Sequence, residues 1–131
     1  MSQKFNDVVR ELESSVISKK RMGWIGVDLD GTLAISGCWK GLDHIGEPVP
    51  TMVERVKAWL NSGYTVKIFT ARASAPGFDV GVIHNWLNTN GLPKLEVTNI
   101  KDFTMIECWD DRAVQVIPNT GRRADGLDDT L

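Results

Sequence analysis

Val27-Asp28-Leu29-Asp30-Gly31-Thr32-Leu33 directly follows the apolar segment Trp24-Ile25-Gly26-Val27, and the reading of this chain turns on it. Two carboxylates stand one residue apart where an apolar strand ends. In an extended strand, residues i and i+2 point the same way, so Asp28 and Asp30 converge unless the chain turns sharply between them. Gly31 can supply such a turn. Crowded carboxylates resist joint ionisation unless a cation or a proton offsets their charge. A hard divalent ion with a preference for oxygen ligands, such as Mg²⁺, fits that need. A strand followed by an ordinary Asp/Gly turn is the plain alternative.

The chain has 131 residues, 42% hydrophobic and 24% charged. That is enough for one domain with a real core, of ordinary globular composition. Lys and Arg number 15 against 17 Asp and Glu, a net charge of −2. This balance gives no global pull toward nucleic acid or an anionic membrane. Cys38 and Cys108 stand in no metal-ligand spacing. They read as structural thiols of a reducing, cytoplasmic protein. No apolar run approaches the roughly 20 residues of a membrane span. The polar N-terminus is unlike a signal peptide.

Residues 3–19 place Phe5, Val8, Val9, Leu12, Val16 and Ile17 on one helical face. The expectation is an N-terminal helix over residues 1–22 packed on the domain, with a self-association face as the alternative. A core over residues 23–120 and a polar, frayed tail over residues 121–131 follow. Within the core, Trp24 to Asp28 is the first strand. Gly37, Gly41, Gly46, Pro48 and Pro50 make residues 34–50 a loop. Thr51 is placed to cap a helix reaching Asn61 or Ser62, with Met52, Val53, Val56, Trp59 and Leu60 inward and Gly63 ending it. Tyr64 to Phe69 is a strand. Phe78 to Thr89 is a helix with Val82, Ile83, Trp86 and Leu87 buried. Leu95 to Val97, Thr104 to Trp109 and Val114 to Ile117 complete the strands. This order predicts an α/β fold with a mainly parallel central sheet and helices on its faces. Sites in such sheets gather at the carboxyl ends of the strands, where Asp28 falls.

Three further positions carry chemistry. Thr70 closes the Ile68-Phe69 strand, and a hydroxyl there can bond a phosphoryl oxygen or merely cap the strand. Arg72 follows, with a fork suited to phosphate or to a surface salt bridge. Asp110-Asp111 ends the apolar run at Trp109. Asp28-Leu29-Asp30-Gly31-Thr32-Leu33, the Thr70 strand end and Asp110-Asp111, taken in this order, resemble the motifs of the haloacid dehalogenase superfamily of phosphohydrolases. Lys101 is the candidate for that family's lysine motif, with Lys94 as its rival.

The resemblance spans residues 24–117 and implies a three-layer Rossmannoid sandwich. It implies that Asp28 is the nucleophile that forms an aspartyl-phosphate and Asp30 the general acid and base. Thr70 and Lys101 are implied to bind phosphoryl oxygens, with Arg72 on the substrate. Mg²⁺ is implied as cofactor, held by Asp28, Asp111 and the Asp30 carbonyl, with Asp110 orienting water or the lysine. The substrate implied is a phosphomonoester, whether a nucleotide, a nucleic-acid end, a sugar phosphate or a phosphoprotein. The Asp110 to Arg112 run also resembles polynucleotide 3′-phosphatase domains over a short stretch.

Substrate choice in the family comes from cap insertions. Residues 34–69 and 71–100 each hold a helix and leave room for no cap domain. A short flap over Ser36 to Val49 remains, where Trp39, Lys40, Asp43 and His44 can touch substrate. Capless relatives take large substrates or assemble so that a neighbour covers the site, so a homo-oligomer is left open. A phosphotransferase or mutase, a non-catalytic module and a receiver-like domain phosphorylated on one aspartate are the competing readings.

Overall fold

The structure is a computed structural model that describes residues 22–127. The helix expected over residues 3–19, and residues 128–131 of the tail, lie outside the described residues.

Strand β1 (Trp24–Val27) is buried along its whole length. Helix α1 (Pro50–Asn61) leads to β2 (Thr65–Phe69), a 3₁₀ turn at Ala71–Ser74, helix α2 (Val80–Thr89), β3 (Val97–Thr98) and β4 (Met105–Trp109). All three strand pairings are parallel, in the order β3-β2-β1-β4. The fold is therefore α/β, with an all-parallel central sheet flanked by helices in the manner of a Rossmann-like three-layer sandwich. β1 and β2 run in register from Trp24 opposite Thr65 to Val27 opposite Ile68. The pairing of β1 with β4 shifts between Trp24 and Ile25, then holds Val27 opposite Trp109.

The steps from β1 to β2 and from β2 to β3 go the same way across the sheet. Right-handed crossovers then set α1 and α2 against the same face. Ile25, Val27, Val66 and Ile68 of that face form one buried cluster with Met52, Val53 and Val56 of α1 and Ile83 and Leu87 of α2. The chain returns across the sheet to β4 through residues 99–104, without a helix. On this opposite face the buried Trp24 indole donates from Nε1 to Asp102 Oδ1 at 2.9 Å and meets Phe69 edge-on at 6.2 Å.

Several boundaries differ from expectation for local reasons. Helix α1 starts at Pro50, so Val49 and not Thr51 is its N-cap. Proline favours the first helical turn because its missing N–H would be unpaired there anyway. Gly63, at φ +86°, follows the helix end as expected. Helix α2 starts at Val80 because the Asp79 side chain accepts the Gly81 N–H at 2.9 Å. Val114 to Ile117 is not a strand of the sheet. It makes one antiparallel bridge, Val116 to Arg123, and its branched side chains stay exposed. A strand needs a face to bury, and this run finds none. The tail from Gly121 is held as far as residue 124 by Ile117 N–H to Arg122 O and Ala124 N–H to Gln115 O, rather than frayed there.

Candidate active site

The carboxyl ends of β1, β2 and β4 meet at one edge of the sheet. Asp28 leaves β1 there, its N–H donating to Trp109 O at 2.8 Å. Asp110 and Asp111 leave β4 beside it. Carboxylate oxygens of Asp28, Asp110 and Asp111 lie within 4.8 Å of one another. This juxtaposition follows from strand order, since β4 pairs with β1 although the two are distant in sequence.

The turn after Asp28 separates the two aspartates of the opening motif. Gly31 has φ +92°, and a Cβ there would stand 2.5 Å from Asp111 Oδ2. Only glycine meets both the backbone angle and the close approach. Thr32 then reaches back: Asp111 N–H donates to its Oγ1 at 3.0 Å, and that hydroxyl lies 3.3 Å from Asp111 Oδ1. Thr32 was not singled out from sequence. Its place four residues after Asp28, beyond a glycine turn, was the available signal.

Asp30 does not join the three-carboxylate cluster. Its two oxygens accept from Arg72, from Nε at 2.7 Å and Nη2 at 2.8 Å. Arg72 also donates from Nη1 to Leu42 O at 3.0 Å and from Nη2 to His44 O at 2.8 Å. Its guanidinium carbon lies 4.7 Å from the Trp39 ring centroid. Arg72 is thus a buried clamp that ties the Asp30 turn to the flap. This fork was expected to face substrate phosphate, and four of its N–H bonds are instead taken up inside the protein.

Thr70 is buried and does two things. Its Oγ1 accepts the Arg72 N–H at 3.1 Å, capping the 3₁₀ turn, and the residue lines the cavity. That cavity is open, about 590 Å³, and is lined by Asp28, Asp30, Thr70, Asp110 and Asp111 together with Trp39. Lys40, Asp43 and His44 of the flap do not line it. Lys101 stands after β3 at the carboxyl edge, exposed and outside the lining. It acts on the neighbourhood as a charge: burial and Asp110 raise the Cys108 thiol, and Lys101 opposes them. Lys94 precedes β3 and so lies at the other edge of the parallel sheet. Both cysteines are free and exposed.

Burial is the main cause that pushes Asp28 up to about 7, joined by its hydrogen bond with Asp111 and by the charges of Asp110 and Asp111. An all-oxygen donor set with too much negative charge fits a hard divalent cation, which offsets the repulsion that adds to burial in raising Asp28.

No protein-family model matches the chain, and no curated protein matches it. The chain is similar in structure to a conserved protein from Bacteroides thetaiotaomicron, 22% identical, with a TM-score of 0.54 over 74% of this chain and 82% of that one. At that identity the likeness is one of fold, the parallel α/β sandwich described above.

Proposed function

We propose that this chain is a cytoplasmic, capless phosphomonoester hydrolase of the haloacid dehalogenase type, dependent on Mg²⁺. The observation that carries this reading is the meeting of Asp28, Asp110 and Asp111 with the Thr70 hydroxyl at the carboxyl edge of the sheet, around one open cavity. Asp28, Asp110 and Asp111 would hold the ion. When bound, Mg²⁺ neutralises the carboxylates and withdraws charge from the phosphoryl oxygens.

Asp28 Oδ attacks phosphorus, and the bond from phosphorus to the ester oxygen breaks as the new one forms. Asp30 gives its proton to the leaving oxygen, then takes one from the water that attacks the aspartyl-phosphate. Inorganic phosphate leaves, and Asp28 and Asp30 return to their starting forms. The Thr70 hydroxyl binds a remaining phosphoryl oxygen, and the Lys101 ammonium, exposed and outside the lining, would have to swing in to reach another. Purified chain should hydrolyse an activated aryl phosphate with Mg²⁺ and not with EDTA. A folded chain with equal rates in both would rule out this mechanism.

The forked contact of Arg72 with Asp30 favours a second reading, a phosphate-binding module without turnover. Proton donation by Asp30 requires one of these two bonds to open and the carboxylate to take up a proton first, whereas a purely structural Asp30 needs neither step. Asp30→Asn separates the readings. A hydrolase loses about 10²–10⁴-fold in rate on esters with poor leaving groups and much less on aryl esters. Equal loss on both kinds of ester would remove Asp30 from the general-acid role.

The acidic cluster also sets a pH dependence. Asp28 titrates near 7 in the folded chain against an ordinary value near 3.8. The unfolded chain therefore loses this proton first. The contribution to stability is full below about pH 4 and is lost as pH rises toward 7. A bound divalent ion would take the place of that proton. The rise in melting temperature on adding Mg²⁺ to EDTA-treated chain should be several-fold larger at pH 8 than at pH 5. The same shift at both pH values would mean that the ion does not bind at Asp28.

A further inference from the structure

We infer that Trp39 is a stacking platform and that the cavity takes a nucleoside monophosphate, its base on the indole and its phosphate at Asp28. This deepens the phosphohydrolase reading and rests on its placing of phosphate at the three-carboxylate cluster. The cavity wall carries two chemistries: carboxylates and the Thr70 hydroxyl on one hand, and Trp39, Leu42 and Phe69 on the other. Trp39 is 64% exposed, which is unusual for so large an apolar ring. Yet it is not loose. Arg72 stacks behind it with its guanidinium carbon 4.7 Å from the ring centroid.

That cation is itself fixed by Asp30 and by the carbonyls of Leu42 and His44. The indole is therefore backed by a buried, immobilised guanidinium. Trp39 lines the cavity and is largely exposed, so much of the ring is left uncovered by that cation. A preset aromatic face binds a planar π-system with little ordering cost. The volume of about 590 Å³ lies within the range of small-molecule sites.

A mononucleotide fits better than a polynucleotide end. A strand of nucleic acid needs a basic track for its backbone. Among the described residues the lining cations are Arg72, committed to Asp30, and Arg112, set against the three remaining carboxylates. A sugar phosphate lacks the planar π-system that an aromatic face binds by stacking.

Steady-state hydrolysis by the full chain with Mg²⁺ would compare adenosine 5′-monophosphate, ribose 5-phosphate and a 5′-phosphorylated oligonucleotide. kcat/KM for the nucleotide should exceed that for ribose 5-phosphate by about 10–100-fold. Trp39→Ala should collapse that ratio to within about threefold, and Trp39→Phe should keep most of it, which separates stacking from a folding defect. Equilibrium dialysis of the same nucleotide and sugar phosphate against Asp28→Asn reads the preference without turnover. Hydrolysis of nucleotide and sugar phosphate at equal efficiency overturns the stacking site and leaves the hydrolase standing. A preference that survives Trp39→Ala overturns it as well, as does a preference for the oligonucleotide. If nothing is hydrolysed but the Trp39-dependent preference appears in dialysis, the platform stands and the hydrolase fails.

Discussion

Asp28→Asn should lower kcat by at least about 10³-fold while the chain stays folded. An amide oxygen is a poor nucleophile, and among the described residues the other carboxylates of the cluster come from a different strand. Asp110 and Asp111 come from β4 and lie within 4.8 Å, but as neighbours in the cluster rather than on the Asp28 backbone. The same change removes a charge that burial and two carboxylates disfavour. It should therefore raise the stability of the metal-free chain at pH 8. Asp28 is partly exposed, so solvent screening trims the repulsion. A gain of about 1 kcal/mol, or roughly 4 °C in melting temperature, is the scale expected. The two readouts move in opposite directions, which no folding defect can imitate. A variant that retained more than a tenth of wild-type kcat would remove Asp28 from the role of nucleophile.

Arg72→Ala should cost about 2–4 kcal/mol in unfolding free energy, measured by urea denaturation. The reason is the company Arg72 keeps. Its side chain is 5% exposed, its fork holds both oxygens of Asp30, and it meets two flap carbonyls. Truncation strands a part-buried carboxylate and leaves two carbonyl oxygens without these donors. Leaving buried polar groups unpaired is costlier than never having had the pair. Arg72→Lys should recover less than half of the loss, because an ammonium lacks the planar fork. In a double-mutant cycle, Asp30→Ala on the Arg72→Ala background should cost much less than on the wild type. Additive effects would mean that the two side chains do not act as a pair. The flap should also become more open to proteolysis between Ser36 and Glu47 once its carbonyl anchors are lost. Its base would hold, since Ile35 N–H still donates to Glu47 O at 2.7 Å and Val49 N–H to Leu33 O at 2.8 Å.

Much of the fold was legible because it is written locally. The alternation and branching of Trp24 to Val27 and Thr65 to Phe69 mark strands, and the stripes at Met52, Val53 and Val56 and at Ile83 and Leu87 mark helix faces. Where the sequence reading failed, the deciding contact was elsewhere in the chain. Val114 to Ile117 has strand composition, but the surface beside it offers no face to cover it. Lys101 is preferred over Lys94 from its position between Thr70 and Asp110-Asp111, and the parallel direction of β3 sets Lys101, not Lys94, at the carboxyl edge of the sheet.

The candidate site divides the same way. That Asp28 and Asp110-Asp111 end apolar strands followed from the sequence, because a strand and its terminal residues are set by neighbours one to four positions away. The sequence by itself thus determined the strands, the helices between them and the order in which acidic and hydroxyl groups arrive at strand ends. Which of those groups meet was decided only by tertiary structure. The strand order β3-β2-β1-β4 places Asp111 beside Asp28, and the left-handed Gly31 turn frees Asp30 to pair with Arg72. Charges so far apart along the chain find partners through the packing of the sheet, and no local pattern encodes that choice.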